Sequence, residues 1–423
     1  MLPPILEIYV LWHPRDEKGS EIAREFIEHF RGNSFTGLLS GAVEVFVRSA
    51  GWRGNGDAPR PIPFPGTSLP TGIEAARFIA VVPIMGMAMA DAVRDSGPWR
   101  DYIEEITRLQ GSTPDRIGVF PYLIDPRAME YTTLAKRLRS YQRIAGSPPR
   151  KGETEAMPRC RDLAQGIAQQ LSREGEKRLM VFISHTRQSR SFRHPSGNEG
   201  DPLALTTMIR RIIADTHLCH FFDASDLQPG DDWDEELRVK AESSALLAIR
   251  TDSYSSRKWC QRELLTAKNA GMPVVMMDAL DVGEERGSFL MDHVPRIPIR
   301  RKKRGWRKES VYRALGLLVD ESLKRILWRH QRELSDAGSG FDIAWWAPHA
   351  PEPLTLAHWL REGLQEAEQN GTFPAQGSVL RILHPEPPLG PDERHVLGQI
   401  ASLAQKDLTL DIMTPRLLAA RGG

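Results

Sequence analysis

The sequence predicts an α/β protein of the flavodoxin-like type, with two tandem doubly wound parallel sheets and a small C-terminal α/β unit. Three observations predict this class. Short apolar runs alternate with amphipathic helical stretches, which is typical of parallel strands joined by crossover helices. The alternation stops in a polar stretch around "GSPPRKGE" and then begins again. A third, shorter series of strand and helix patterns follows the basic run "RRKKRGWRK".

The first α/β unit is predicted over residues 1–125. Its strand candidates are apolar runs of seven to ten residues, and two amphipathic stretches between them read as helices. The strands are "ILEIYVLW", "GAVEVFV", "ARFIAVVPIM" and "RIGVFPYLI", and the helices are "GSEIAREFIEHF" and "WRDYIEEITRL". Residues 126–177 are mostly polar and helical in pattern, and we expect them to form a connector.

The second unit is predicted over residues 178–300, where the same plan restarts. Both units give a strand, a helix led by tryptophan and another apolar strand, which indicates a duplication of pattern without identity of sequence. The strands are "KRLMVFISH", "HLCHFFDA", "SALLAIRT" and "MPVVMMDAL", and the helices are "LALTTMIRRIIAD", "DDWDEELRVKAE" and "SRKWCQRELLTAKNA".

The remaining chain divides into a linker and a last segment, which is either a third small α/β unit or an addition to the second unit. Residues 301–340 combine a basic loop with a long helical pattern, and residues 341–423 carry three more strand candidates. A basic run of this kind is more often a solvated loop than a nucleic-acid patch, so we do not expect nucleic acid as a partner. The last strands are "FDIAWW", "SVLRILHP" and "LTLDIMTP".

Composition places the chain among ordinary globular proteins. Of its 423 residues 40% are hydrophobic and 26% charged, and the formal net charge is +1. The three cysteines are widely spaced and odd in number, which argues against a disulfide framework and a cysteine-built zinc site. A histidine pair flanks one cysteine in "THLCHFF" but has no partner cluster, so we expect no metal. No apolar run approaches the ~18 residues of a membrane span, and a reducing cytoplasm fits best.

One carboxylate lies where an apolar side chain is expected. At roughly 100° per residue, the helix in "SSRKWCQREL" gathers its apolar residues on one side, and Glu263 falls among them. The apolar residues are Trp259, Cys260, Leu264 and Ala267, and the polar ones expected opposite are Lys258, Gln261, Arg262 and Lys268. Without further information such an acid reads as a boundary residue paired with an Arg or Lys. A residue of an active site is the alternative.

The second unit resembles a bacterial Toll/interleukin-1 receptor (TIR) domain. Three stretches carry the resemblance in order and at natural spacing. They are "VFISH", a strand that ends in Ser-His, "FFDASDLQPGDDWDEEL", a strand and loop that lead into a helix, and "ESSALLAIRTDSYSSRKWCQREL", which contains Ser-x-x-Trp-Cys and then Glu. The first unit resembles a degenerate relative that lacks these stretches.

The resemblance implies an activity. Many TIR domains cleave NAD⁺ between nicotinamide and ribose, and the glutamate of the Trp-Cys helix is their catalytic residue. That position in this chain is Glu263. NAD⁺ would then be the substrate rather than a cofactor, and self-association through TIR domains would complete the site. The family further implies antiphage defence with an unidentified partner or trigger, through NAD⁺ depletion or a cyclic ADP-ribose signal.

The chemistry of the substrate agrees with one carboxylate. Glycoside cleavage normally takes two carboxyl groups, one of which protonates the leaving group. Nicotinamide in NAD⁺ is cationic and departs neutral, so it needs no acid. A single, partly desolvated carboxylate suffices to face the positive charge that grows on the ribose ring. An inward-facing Glu263 is the candidate for this role.

Six further residues are candidate substrate contacts, each with a structural alternative. The phenylalanine is more simply a core residue, and the two tryptophans either pack or stack on the substrate. Of the two serines, one ends a strand and the other either binds the substrate or caps a helix. The histidine either binds or pairs locally. They are Phe182, Ser184, His185, Trp233, Ser256 and Trp259.

Two other classes of function stay open. The chain is either a non-catalytic TIR scaffold or adaptor, which would have no need of Glu263, or a nucleotide-signal receptor that binds without cleaving. The sequence contains no phosphate-binding P-loop, no G-x-G-x-x-G after a strand and no G-x-S-x-G elbow.

Overall fold

The computed structural model divides the chain into two compact units. The first contains the described residues up to 172 together with Arg329–Leu334, and the second contains those of 179–328 and 335–421. The structure describes residues 4–32, 35, 43–50, 58–67, 75–130, 138, 154, 156–172, 179–186, 202–216, 218, 220–222, 244–281, 283–284, 286–301, 305–338, 343–370 and 377–421.

A five-stranded parallel sheet forms the centre of the first unit, in the order β2-β1-β3-β4 with β5 beside the end of β3. Every residue of β1 and β3 is buried, which explains why these strands are continuous apolar runs. The strands are β1 (Leu6–Leu11), β2 (Val43–Arg48), β3 (Phe78–Met85), β4 (Ile117–Val119) and β5 (Tyr122–Leu123).

Four helices of the first unit are described; the first three bury an apolar stripe, whereas the fourth is buried on nearly all sides. The fourth packs through Arg159, whose guanidinium binds both carboxylate oxygens of Glu25 on the first helix. The predicted connector therefore contributes a helix to this unit. The helices are α1 (Lys18–Phe30), α2 (Met87–Arg94), α3 (Pro98–Ser112) and α4 (Ala156–Leu171).

The second unit contains a five-stranded parallel sheet in the order β10-β9-β8-β6-β7. If β6 to β10 are numbered 1 to 5 and the sheet is read from the β7 edge, the order is 2-1-3-4-5, which is that of flavodoxin-like folds. The strands are β6 (Met180–Ser184), β7 (His220–Phe222), β8 (Ser244–Arg250), β9 (Val274–Asp278) and β10 (Arg296–Pro298). The helices are α5 (Pro202–Ala214) and α6 (Lys258–Asn269), and Gly271 ends α6 in the left-handed region at φ 65°.

A small parallel sheet and most of a long helix, except for Arg329–Leu334, complete the second unit. The helix is α7 (Lys308–Gly338), and the sheet has the order β11-β12-β13 with helices after each strand. The strands are β11 (Trp345–Trp346), β12 (Val379–Leu383) and β13 (Thr409–Met413), and the helices are α8 (Pro353–Asn370), α9 (Pro391–Ala404) and α10 (Pro415–Ala420).

The predicted fold class is confirmed. The structure adds α2, α10 and the short strand β10, none of which the sequence patterns indicate, and it splits the predicted "RIGVFPYLI" strand into β4 and β5. The predicted helix at 231–242 lies outside the described residues. Among the residues that are described, no helix is long and apolar enough to cross a membrane.

Candidate functional site

The order of strands in the second unit places a topological switch point between β6 and β8, at the carboxyl edge of the sheet. β6 and β8 are neighbours, but the chain leaves β6 toward β7 on one side and leaves β8 toward β9 on the other. Loops diverge at such a switch point, and open α/β sheets bind ligands there. Ser184 is the last residue of β6, and residues 251–257 connect β8 to α6.

Three side chains meet at this switch point, and we call them the switch-point cluster: Ser184, Tyr254 and Glu263. The Ser184 hydroxyl donates to Glu263, with 2.5 Å between Oγ and Oε2. The Tyr254 hydroxyl lies 2.6 Å from the same Oγ. Because the single proton of Ser184 is given to the carboxylate, Tyr254 must donate to Ser184. A chain of two hydrogen bonds therefore fixes one carboxylate oxygen of Glu263.

Burial sets the protonation of the groups around this carboxylate. Desolvation raises the pKa of Tyr254 well above its usual value, so the phenol remains a donor at neutral pH. Burial also raises the pKa of Cys260 to about 12, with the nearby Glu263 adding to the effect. Since the thiolate is the reactive form of cysteine, this shift argues against Cys260 as a nucleophile. Its Sγ lies 3.7 Å from the carbonyl oxygen of His185.

The segment after β8 contains a polar atom that has no partner in the described part of the chain. Ser253 is buried, and none of the described residues forms a hydrogen bond with its Oγ. The neighbouring groups are bound: Thr251 pairs with Thr186 at 2.9 Å between their hydroxyl oxygens, and the Asp252 carboxylate accepts from the amide of Asp281. Buried hydroxyls are rarely left unpaired. The Ser253 hydroxyl is therefore available to a water molecule or a ligand.

Glu263 faces inward on α6, as the sequence predicts. The predictions for Trp259 and Lys268 are wrong, because the first was expected on the buried face and the second on the polar face. Glu263 is only 3% exposed and lies on the buried stripe of α6. Trp259 is 44% exposed, because the buried stripe centres near Cys260 and Ala267, about 100° around the helix from it. Lys268, expected on the polar face, is buried since its ammonium binds both carboxylate oxygens of Glu352.

The structure brings only some of the other candidate residues to the switch point. Phe182 is fully buried in the core beside Leu246 and Ala248. Ser184 belongs to the switch-point cluster, and His185 follows it, half-buried. Ser256 is exposed and donates to the carbonyl of Ser253 rather than capping α6.

Two aspects of the site lie beyond what the sequence patterns indicated. Trp233 lies outside the described residues. Tyr254 was not among the candidates, although a tyrosine directly after a buried strand is a signal, because a buried phenol requires a hydrogen-bond partner. Among the described residues no group of three or more His, Cys, Asp or Glu side chains could hold a metal ion.

The first unit lacks a matching carboxylate. Its third strand, β3, and the helix α3 that precedes β4 correspond in strand order to β8 and α6. The residue four positions after Trp259 in α6 is Glu263, whereas the residue four positions after Trp99 in α3 is the buried Ile103. The acids Glu104 and Glu105 instead form exposed ion pairs with arginines of the same helix. This helix therefore brings no buried acid to the first sheet.

Comparisons with known proteins do not assign the chain. No family model and no curated protein matches it. Among solved structures, tagatose-6-phosphate ketose/aldose isomerase from Escherichia coli aligns with 77% of this chain and 82% of its own, at 10% sequence identity and a TM-score of 0.19. A TM-score this low carries no argument about fold or function.

Proposed function

We propose that the chain is a TIR-type NAD⁺ glycohydrolase with Glu263 as its catalytic carboxylate. The supporting observation is that a buried glutamate lies at the switch point of a flavodoxin-like sheet, with Oε2 held by Ser184 at 2.5 Å. Orienting an ionised group before reaction is what electrostatic catalysis requires. The resemblance of the surrounding sequence to TIR domains supplies the substrate.

In the proposed reaction the bond between ribose C1′ and the nicotinamide nitrogen breaks. Nicotinamide keeps the bonding electron pair and leaves as a neutral molecule, while positive charge grows on the ribose ring. Glu263 faces that charge, and water adds to C1′ and releases a proton, so that ADP-ribose and nicotinamide are formed. Capture of C1′ by the adenine ring instead of water would give the cyclic product.

Ser253 supports a polar ligand in the segment that follows β8. Its buried, unpartnered hydroxyl lies in the segment that carries Tyr254, at the carboxyl end of β8. Ribose hydroxyl groups both donate and accept, so they would satisfy a lone hydroxyl of this kind. Ser253 is therefore a candidate for a ribose contact.

The test is cleavage of etheno-NAD⁺, followed by fluorescence, over a series of protein concentrations with and without a crowding agent. The series matters because we propose that self-association completes the site. Wild-type protein is compared with Glu263→Gln and with the control Glu362→Gln, which alters an exposed glutamate of α8. We expect cleavage by the wild type and by the control, and none by Glu263→Gln.

NAD⁺ binding, measured by calorimetry on the same samples, separates the rival functions. Binding without cleavage at every protein concentration would favour a nucleotide-signal receptor. Self-association with neither binding nor cleavage would favour a scaffold. Undiminished cleavage by Glu263→Gln would reject the proposed role of this residue.

A further inference from the structure

A cavity lies within the second unit, away from the switch-point cluster. Its volume is about 410 Å³, which is within the range of small-molecule sites. Its walls include the segments that follow β11 and β12, the helix α7 and the end of α6. It therefore adjoins the carboxyl edge of the small parallel sheet, the edge at which α/β sheets bind ligands.

Most charges in the cavity wall are already neutralised by the protein. Lys268 and Glu352 form a buried ion pair at 2.7 Å, and Lys324 and Glu321 form a half-buried ion pair at 2.6 Å. Burial, with Arg325 and Lys268 nearby, lowers the pKa of His349 to about 4 despite its contact with the Ala350 carbonyl. The imidazole is therefore neutral at pH 7 and adds no positive charge.

Glu386 differs from these paired residues. Its side chain lines the cavity, Oε1 is buried, and the described residues provide it with neither a hydrogen bond nor an ion pair. A buried carboxylate oxygen without a donor carries a large desolvation cost. A donor from outside the chain would remove that cost.

We propose that this cavity binds a small organic monocation: an amine, amidine or guanidine on an apolar body. The cationic group would donate to Glu386, and a planar amidinium or guanidinium would match its two oxygens. The apolar body would contact Trp328, Pro295 and Pro348 in the wall. An anion is disfavoured, because it would lie beside the carboxylate of Glu386, whose Oε1 has no partner among the described residues.

The test uses three isosteric probes that differ in charge: benzamidine, benzamide and benzoate. Their dissociation constants are measured by calorimetry on the full chain, together with the shift in unfolding temperature that each probe causes. We expect benzamidine to bind at least about tenfold more tightly than benzamide, as for the gain of a charge-assisted hydrogen bond. Benzoate should not bind.

Two variants locate the binding. Glu386→Gln should weaken benzamidine about tenfold or more, whereas Glu362→Gln, an exposed glutamate of α8, should leave its affinity unchanged. Circular dichroism and urea unfolding check that both variants are folded. Equal affinity for the three probes, no binding of benzamidine, or unchanged affinity in folded Glu386→Gln would each overturn the proposal. Because binding is measured without NAD⁺, the result is independent of the proposed glycohydrolase activity.

Discussion

Ser184, at the end of β6, donates a hydrogen bond of 2.5 Å to Glu263 on the helix α6. The two residues are 79 positions apart in the sequence, and both are buried. The contact links the end of β6 to the second turn of α6, the helix that follows β8. It requires β8 to lie beside β6, so the flavodoxin-like strand order is what assembles the cluster.

The first prediction distinguishes positioning by Ser184 from direct contact with a substrate. If Ser184 positions Glu263 in the proposed reaction, Ser184→Ala should lower kcat about tenfold, with little change in KM, because a hydrogen bond to a charged group is lost. Tyr254→Phe should have a smaller effect in the same direction, since it removes only the donor to Ser184. Steady-state kinetics with etheno-NAD⁺ measures both constants.

The chain offers a matched control for this experiment. Ser244 is also buried in the same sheet, at the amino end of β8, and its hydroxyl has no hydrogen-bond partner among the residues that the structure describes. Ser244→Ala should therefore leave kcat and KM unchanged. A rise in KM at constant kcat in Ser184→Ala would instead indicate that Ser184 contacts the substrate.

A second prediction concerns the two faces of α6. Trp259→Ala should lower the free energy of unfolding by about 1 kcal/mol or less, because this side chain is 44% exposed. Leu264→Ala should cost about 2–5 kcal/mol, since that side chain is fully buried in the core. Urea unfolding followed by circular dichroism gives both values. Similar losses in the two variants would mean that Trp259 is a core residue.

Much of the fold was predictable because each central strand is a continuous apolar run. The inward position of Glu263 was predictable as well, because Cys260, Leu264 and Ala267 define its side of the helix by spacing alone. The exposure of Trp259 was not predictable, since it lies at the edge of that stripe in the first turn of α6. A helical angle alone does not decide the burial of an edge residue.

Contacts between distant parts of the chain explain the remaining differences. Lys268 appeared to be a surface residue because its partner, Glu352, is 84 positions away. Tyr254 acquires its role only when β8 lies beside β6, which places its hydroxyl near Ser184. The strand β10 was missed because Arg296–Pro298 contains a charge and a proline and has no apolar run. Such features depend on tertiary structure rather than on local pattern.

A third prediction concerns an ion-pair network at the end of β8. The Arg250 guanidinium binds both oxygens of Glu284, at 2.7 and 2.5 Å, and one oxygen of Asp278 at 3.1 Å. The hydrogen bonds from Arg250 lower the pKa of Glu284 below its usual value of 4.5. The native carboxylate thus binds protons less readily than the unfolded one. Its stabilising contribution is complete above pH 4.5 and is lost as the pH falls through the native pKa.

Glu284→Gln should therefore lower the free energy of unfolding by about 1–2 kcal/mol at pH 7. The difference from wild type should shrink as the pH falls below 4.5. Urea unfolding at a series of pH values measures this dependence, with the exposed Glu362→Gln as control. A difference that stays constant down to acid pH would contradict the assigned pKa direction.

The last prediction concerns the first unit, where the side chain of Asp16 lies at the carboxyl ends of the strands and binds the start of α2. The Asp16 oxygens accept hydrogen bonds from the amides of Ala88 and Met89, at 3.1 and 2.9 Å. These amides belong to the first turn of α2, which begins at Met87 after Gly86. Asp16→Ala should lower the free energy of unfolding by about 1 kcal/mol, because it removes a helix cap.

Gly86 makes this contact possible, and a double-mutant cycle tests the relationship. A Cβ atom at Gly86 would lie 2.4 Å from the Asp16 carboxylate, so Gly86→Ala must displace that side chain. We therefore expect Gly86→Ala to be clearly destabilising in the wild type and much less so in the Asp16→Ala background, where the clash is absent. Urea unfolding of the four proteins gives the coupling energy. Additive losses would show that Gly86 is required for a reason other than the close approach of Asp16.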